Sequence, residues 1–357
     1  MFKVFYLAAL KELGAAFLLS LGFLNAILMM EHLLKMSRTL SGIGASLPDM
    51  AAIIFYIQPQ LFLITIPMSL LLSVLLVYGR MNMDNEIVVL RMSGMDFRKI
   101  SLPVLILGVT CFFLSIVVSF SIAPKSSLHV KEKITHMIAT RASHAIEEGT
   151  FNTTFKDIVL LVKGKKPDNA LEGVFIYDYR VKAEPKILMA KEGRLFIADS
   201  LEAGMVMKNG YINLSKGKTI TELFFDTYNM TLNLNTGSRR PHKSELTPLE
   251  LIAAAQVAER EKDRIAFYLE LHRRVSLPFV CLLLILFGPP LALIAGKSGR
   301  LGGLALGLVV FTSYYMLLIY CENLVKAEKL SHYVGAWIPS VVLGIMAVIL
   351  FRKEYTR

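Results

Sequence analysis

Residues Pro59–Tyr78 read PQLFLITIPMSLLLSVLLVY, a run without one charged side chain. Its length matches the roughly 20 apolar residues that an α-helix needs to cross bilayer hydrocarbon. Working outward, five further stretches have the same character: Leu13–Leu34, Leu102–Ala123, Val275–Ala295, Leu301–Cys321 and Tyr333–Phe351. They fall as three plus three, separated by the polar segment 124–268. Hydrophobic residues at 54% and a mean hydropathy of +0.54 describe a polytopic membrane protein and exclude a soluble enzyme with one anchor. The expected organisation is spans one to three over 1–123, an outer domain with flanking helical segments over 124–268, and spans four to six over 269–357.

Lys3 and Lys11 precede the first apolar run as they would in a secretory signal. The run is longer than a signal's apolar core, and it leads into Glu31-His32-Leu33-Leu34-Lys35 instead of a small-residue cleavage site, so it reads as a permanent helix. Short loops set the orientation. Arg80, Arg91, Arg98 and Lys99 lie between spans two and three, Lys297 and Arg300 between four and five, and Arg352, Lys353 and Arg357 in the tail. The positive-inside rule puts these positions and both termini in the cytoplasm. The loop Met36–Met50, the middle segment and the turn Glu322–His332 are then outside, the long segment translocating regardless of its lysines.

A net charge of +11 divides between an inner collar suited to anionic headgroups and the outer domain. Nucleic acid is excluded as a partner, because no basic patch is interleaved with aromatics. Cys111, Cys281 and Cys321 all fall in apolar stretches, so the outer domain folds without disulfides.

After a polar, helix-like stretch near His129–His144 the middle segment changes period. The expected strands are Phe151–Val162, Gly173–Tyr179 after a Pro167-Asp168-Asn169 turn, Lys186–Ala190, Gly193–Ala198, Met205–Leu214 broken by a tight hairpin at Asn209-Gly210, and Thr219–Leu234. This predicts an all-β sandwich, jelly roll or partly open barrel, with Val159, Leu161, Val174 and Ile176 as alternating apolar positions compatible with its interior. Thr247-Pro248-Leu249-Glu250 then combines an N-cap threonine, a first-turn proline and a capping-box glutamate to start a helix. The charged run Glu259–Arg274 reads as a solvated helix held by local ion pairs.

Enzymatic signatures are absent: there is no HExxH, no GxSxG and no metal-spaced Cys/His cluster. Gly217-Lys218-Thr219 and Gly296-Lys297-Ser298 approach a phosphate loop, but Ile212 and Leu291 stand where its first glycine is required. The chain is therefore not expected to hydrolyse ATP, and no cofactor or metal is expected. Glu31 and His32 are ionisable near the membrane, yet their place at the outer end of span one favours a wet, interfacial role.

The most informative local motif lies in the turn after span two, Met81-Asn82-Met83-Asp84-Asn85-Glu86-Ile87-Val88-Val89-Leu90-Arg91-Met92-Ser93-Gly94. It predicts a two- to three-turn helix near 82–94, capped by Asn82 or Asp84 and closed by Gly94 in the left-handed conformation. An amphipathic helix resting among headgroups is its plain reading. Anionic lipid would repel Asp84 and Glu86, which favours docking on a protein partner with a basic groove.

Here the chain resembles the paired permeases of the lipopolysaccharide exporter, the LptF/LptG family, over nearly its whole length. The resemblance rests on the three-plus-three topology around the β domain. It also rests on Asp84-Asn85-Glu86-Ile87 with Leu90-Arg91-Met92-Ser93-Gly94, and on Glu270-Leu271-His272-Arg273-Arg274 leading to Pro278-Phe279. Further matches, in the same order, are Gly288-Pro289-Pro290-Leu291, Ser298-Gly299-Arg300 with Gly303 and Gly307, Tyr314-Tyr315 and Trp337-Ile338-Pro339. Gly149-Thr150-Phe151 with Leu171-Glu172-Gly173-Val174-Phe175-Ile176 is closer to LptF than to LptG.

The resemblance implies a polytopic α-helical half-transporter with an inserted jelly-roll-like periplasmic domain in a Gram-negative inner membrane. It implies pairing with a sibling permease, docking on a dimeric cytoplasmic ATPase, and extraction of lipopolysaccharide for delivery to periplasmic jelly-roll bridge proteins. The turn near 82–94 would be the coupling helix, with Asp84, Glu86, Arg91 and Gly94 as the docking set, and spans one and five would line the lipid cavity. Lys35 and Arg38 close the outer end of span one, while Lys326 and Lys329 follow span five. Their ordinary reading is interface anchoring, and as two pairs they suit clamping of headgroup phosphates. Two other classes stay open: a mechanical permease that drives periplasmic partners without carrying lipid, and an intramembrane hydrolase, for which no nucleophile and base pair has recognisable spacing.

Overall fold

The computed structural model describes residues 2–41, 47–145, 148–152, 157–166, 170–180, 185–199, 202–216, 219–233, 242–295 and 299–355. The expected turns at 167–169 and 296–298, the Gly217-Lys218 pair and the side chains of Lys35 and Arg38 lie outside the described residues.

All six apolar stretches are helical, in α1 (Phe2–Ser41), α2 (Leu47–Met83), α5 (Leu102–Val117), α8 (Glu261–Ala295), α9 (Gly299–Lys326) and α10 (His332–Tyr355). Six helices among the described residues are long and apolar enough to cross a membrane. The protein is thus a multi-pass helical membrane protein carrying a β domain between its two sets of helices. The helices outrun the hydrocarbon: α1 has 40 residues, about 60 Å at 1.5 Å per residue. The loop expected over Met36–Met50 is correspondingly shorter, since α1 continues to Ser41 and α2 starts at Leu47. Pro59 and Pro67 stay inside α2, and Pro278, Pro289 and Pro290 inside α8. The third stretch departs from α-geometry at its end, where Val118–Ile122 form a π-helix before α6 (Ala123–Ala145).

The chain divides into two compact units. In the helical unit, the core gathers around α2 and α8, with Leu70, Val74, Tyr78, Cys281, Leu284 and Phe287 all buried. Of the most apolar 18 residues of each span, 72% is buried in α2 and 67% in α8, against 17% in α1, 22% in α9, 28% in the third span and 33% in α10. The outer helices therefore keep broad apolar flanks, Leu18, Leu19 and Phe23 on α1 and Leu308, Val309 and Met316 on α9. Two glycines permit close crossings at the centre. A Cβ at Gly108 would stand 2.3 Å from Ile285 Cγ1, and one at Gly307 would stand 2.6 Å from Leu75 Cδ1.

The second unit holds a six-stranded antiparallel sheet: β1 (Phe151–Asn152), β2 (Ile158–Lys165), β3 (Ala170–Asp178), β4 (Lys186–Asp199), β5 (Glu202–Lys216) and β6 (Thr219–Asn233). Neighbours in sequence are neighbours in the sheet, so the connectivity is a meander with β1 and β6 as edges. One face is enclosed. Ile158, Leu160, Val162, Leu171, Val174, Ile176, Leu188, Met205, Met207 and Met230 form a buried cluster drawn from β2 to β6.

A line of bends lets a single sheet cover its own face. Buried positions change parity along two of the strands, from Leu171 to Val174 and Ile176 on β3, and from Met205 and Met207 to Ile212 on β5. The change falls at Gly173 (φ 63°) and Asn209 (φ 53°), whose left-handed backbone turns the strand over. Asn209-Gly210 is therefore a bend inside an unbroken β5, not the expected hairpin. Likewise β4 runs unbroken where two strands were expected. On β2 the interior positions are Ile158, Leu160 and Val162, one residue out of phase with the expected Val159 and Leu161. The outward row instead pairs Leu161 with Phe175, Phe175 with Met189, Met189 with Tyr211 and Tyr211 with Phe224.

Asp178 closes β3 with a tight local pair: its Oδ1 accepts from Arg180 Nε at 2.9 Å, and its Oδ2 from Arg180 Nη2 at 2.7 Å. Burial pushes this carboxyl up, but Arg180, through its guanidinium and its backbone N–H, and Lys186 alongside hold it below its ordinary value. The lowered folded-state value means that this stabilisation is complete above the unfolded carboxylate range, about 3.9, and is lost as pH falls through the folded value. Hydrogen exchange on the full chain in detergent should show β3 losing protection below about pH 4. In Asp178→Asn that acid sensitivity should largely vanish, at a cost of about 1–3 kcal/mol near neutral pH. Unchanged acid sensitivity in the variant would assign it to other carboxylates.

Candidate functional site

The polar turn after α2 folds as expected in kind and differently in detail. α2 ends at Met83, Asn85 takes a left-handed conformation (φ 59°), and α3 runs Glu86–Met92. Gly94 closes it with φ 85°, its N–H donating to Arg91 O at 3.0 Å. The expected caps are engaged elsewhere. Asn82 donates through Nδ2 to Leu293 O at 3.1 Å, while Asp84 turns back to Arg80, so Asn85 precedes the helix without a side-chain cap. A short second helix, α4 (Phe97–Ile100), leads from this turn into α5.

Arg80 is the hub, a role that inspection of the sequence missed. Its Nε and Nη2 donate to Glu12 at 2.9 and 2.8 Å, and its Nη1 reaches Glu86 at 2.9 Å and Asp84 at 3.2 Å. The Arg80-to-Asp84 spacing of four residues was a legible helical pair; Glu12, 68 residues upstream, carried no signal. Tyr78, buried two residues earlier, donates to Ile100 O at 2.6 Å and fixes the base of the turn.

These contacts give α3 two sides. Ile87 is buried, and Arg91 points inward, where it pairs with Glu354 at 3.6 Å and lies 5.0 Å over the Phe97 ring. On the other side Val89 and Met92 are 63% and 84% exposed, next to the partly exposed carboxylates of Asp84 and Glu86. Of the expected docking set, Asp84 and Glu86 thus share one surface, Gly94 ends the helix, and Arg91 faces away from that surface.

The opposite end of the helical unit is organised by Arg274, which is 5% exposed. Its guanidinium donates to three backbone carbonyls, Leu246 at 2.5 Å, Lys243 at 3.0 Å and Ser244 at 3.3 Å, and pairs with buried Glu270 at 3.4 Å. Its own carbonyl accepts from Ser119 Oγ of the π-helix at 3.0 Å. Beside it, Ser244 Oγ meets Ser127 Oγ at 3.1 Å, and Ser127 accepts from Gln60 at 3.0 Å. The charged run is solvated at its start, where Arg264 pairs with Glu261, but its end is a buried clamp. The strap that the clamp holds leads directly into α7 (Pro248–Val257), whose capping box forms as predicted from Thr247 and Glu250.

Lys326 ends α9 and Lys329 follows it, both exposed. Lys35 and Arg38 fall on the last turns of α1, in the other compact unit, and only their backbone is described. His32 bonds the Leu28 carbonyl through Nδ1 at 3.1 Å.

Six helices long and apolar enough to span, four of them with broad uncovered apolar flanks, together with an acid-rimmed short helix and a folded β domain, define a multi-pass membrane protein with an inserted β domain. The chain matches the family model of the lipopolysaccharide export system permeases LptF/LptG over residues 8–353, and it belongs to that family. It is 20% identical to the lipopolysaccharide export system permease protein LptF of Escherichia coli over 317 residues, 87% of this chain and 81% of that protein. It is 26% identical to an uncharacterized protein of Rickettsia prowazekii over 255 residues, 68% of this chain and 71% of that one.

Arg80 provides the test of how α3 is held. Arg80→Met would leave Glu12, Asp84 and Glu86 without their shared cation. All three are partly solvated, so the expected cost is on the order of 1 kcal/mol, concentrated locally. Amide exchange should rise in α3 while α2 and α8 stay protected. Unchanged protection of α3 would mean that Ile87 and Leu90 packing suffices to hold it.

Proposed function

We propose that this chain is an LptF-type permease subunit of an ABC transporter that extracts lipopolysaccharide from the inner membrane, powered by a separate cytoplasmic ATPase. The observation that carries this reading is the outer side of α3. Val89 and Met92 are apolar and exposed beside Asp84 and Glu86, at the end of the bundle that also bears Arg98, Lys99, Arg352 and Lys353. By the positive-inside rule that end is cytoplasmic. An apolar helix face rimmed by acids suits a groove with apolar walls and basic edges.

The uncovered flanks of α1 and α9 support pairing with a sibling permease around a lipid cavity. The basic residues Lys35, Arg38, Lys326 and Lys329 at the outer headgroup level would bind its phosphates. The apolar interior of the β domain supports onward passage of acyl chains to a periplasmic bridge. Its present filling by Leu160, Ile176, Met205 and Met207 also suits a permease that transmits strokes without carrying lipid. Photocrosslinking from position 207 separates these two readings, since only a carrier gives a lipid adduct there.

The docking test uses Met92→Glu, which leaves the Arg80 network untouched, alongside Glu86→Lys. Both should leave the permease inserted, abolish recovery of the ATPase with it and stop export. Full lipid-stimulated ATP turnover in Met92→Glu would sink the docking assignment. The lipid arm neutralises Lys35 and Arg38 together, with the ATPase still recovered. Lipid crosslinking should fall by more than in either single variant, each charge near an anionic surface being worth about 1 kcal/mol. Crosslinking unchanged in the double variant would reduce both residues to interface anchors.

A further inference from the structure

Seven residues make two turns, too few for a helix to hold itself together in water, so α3 takes its orientation from what lies beneath it. Beneath it is a cleft of about 210 Å³, lined by Asn82, Ile87, Arg91, Leu293 and Glu354 among others. The cleft is open to one side, while Ile87 itself packs into the core of the helical unit. Polar ties bridge the rim: Asn82 to the Leu293 carbonyl of α8, and Arg91 to Glu354 of α10.

The tie to α10 is the more elaborate. Arg91 Nη2 lies 3.6 Å from Glu354 Oε2 and donates to the Glu354 backbone carbonyl at 3.4 Å. The same guanidinium covers Phe97, whose ring meets Phe351 of α10 at 5.5 Å, and Arg98 lies 4.3 Å over the Tyr355 ring. Three residues of the last turn of α10 are thus engaged by the α3–α4 stretch. Glu354 is only 8% exposed, and a carboxylate so buried is tolerated only with a cation beside it.

We propose that Arg91 and Glu354 are positioning residues for the docking face, so that the last turn of α10 sets the angle at which α3 presents Val89, Met92 and the two carboxylates. The sixth span and the docking helix then move as one body. This rests on the docking reading of α3, and it takes Arg91 out of direct contact with the ATPase. A push on α3 is delivered to α10 through the Arg91–Glu354 ion pair as well as to α2 and α5 through the chain itself.

The experiment uses the complete transporter with its ATPase, and compares Arg91→Glu, Glu354→Arg and the double exchange. Two quantities are read: the ATPase recovered with the permease, which reports docking, and lipid released per ATP hydrolysed, which reports positioning. Each single reversal should retain the ATPase and lower lipid release per ATP about tenfold, because it sets a like charge against the partly or fully buried partner position, and the double exchange should restore most of it. Glu354→Gln, which keeps the shape, should lose coupling in the same direction and remains testable if a reversal prevents insertion. Wild-type coupling in Glu354→Gln would overturn the proposal. So would loss of the ATPase in Arg91→Glu that the double exchange does not repair, which would make Arg91 a direct contact. Met92→Glu separates the two levels: an ATPase still bound and fully active there would overturn the docking reading itself.

Discussion

Hydrocarbon offers no partner for a backbone N–H or C=O, and the rest of this structure follows from that constraint. It forces the apolar stretches into helices and turns side-chain hydroxyls back on their own backbone. Thr65 donates to Leu61 O, Ser73 to Leu70 O and Thr110 to Ile106 O. It also drives charged chemistry to the ends of the bundle, where Arg80 and Arg91 organise one end and Arg274 the other. Between the ends, close approaches join α8 to α5, through Gly108 against Ile285, and α2 to α9, through Gly307 against Leu75.

How much of this was legible follows the range of each signal. Apolar runs announce spans directly, because the solvent they must match is uniform, and all six were placed. The Thr247–Glu250 capping box was equally readable, since both of its hydrogen bonds close within three residues. The β domain was legible as strands and illegible as a path. Asn209-Gly210 signals a backbone with φ above zero, which a hairpin and an in-strand bend both need, and only pairing across β4 and β6 decides between them. The slip between Val159 and Leu160 has a similar origin, because both faces of β2 carry apolar residues and alternation cannot tell inside from outside. At the turn after α2, the shared surface of Asp84 and Glu86 was legible because the two acids are local to one turn. Glu12 and Glu354 were not, because each owes its role to an arginine far away in the chain.

The three arginines share one logic, which is to join segments that the chain itself keeps apart. Arg80 gathers α1 and α3 onto the end of α2; Arg91 ties α3 to the end of α10; Arg274 holds the strap before α7. The planar, multi-donor guanidinium suits this task better than a lysine, because it binds several acceptors at once in a fixed geometry. In Arg274 most of those acceptors are backbone carbonyls, so the clamp tolerates substitution of the strap side chains it holds.

The Arg274 clamp also has a bearing on the order in which the protein can be made. Its guanidinium lies 28 to 31 residues downstream of the carbonyls it holds. During synthesis the strap emerges first and must wait, its carbonyls hydrated, until Arg274 follows at the head of the fourth span. Closure of the clamp therefore follows the β domain in time, and it couples the start of the fourth span to the locking of the segment that leaves the β domain. A chain stalled before Arg274 would carry its β domain on an unfastened tether.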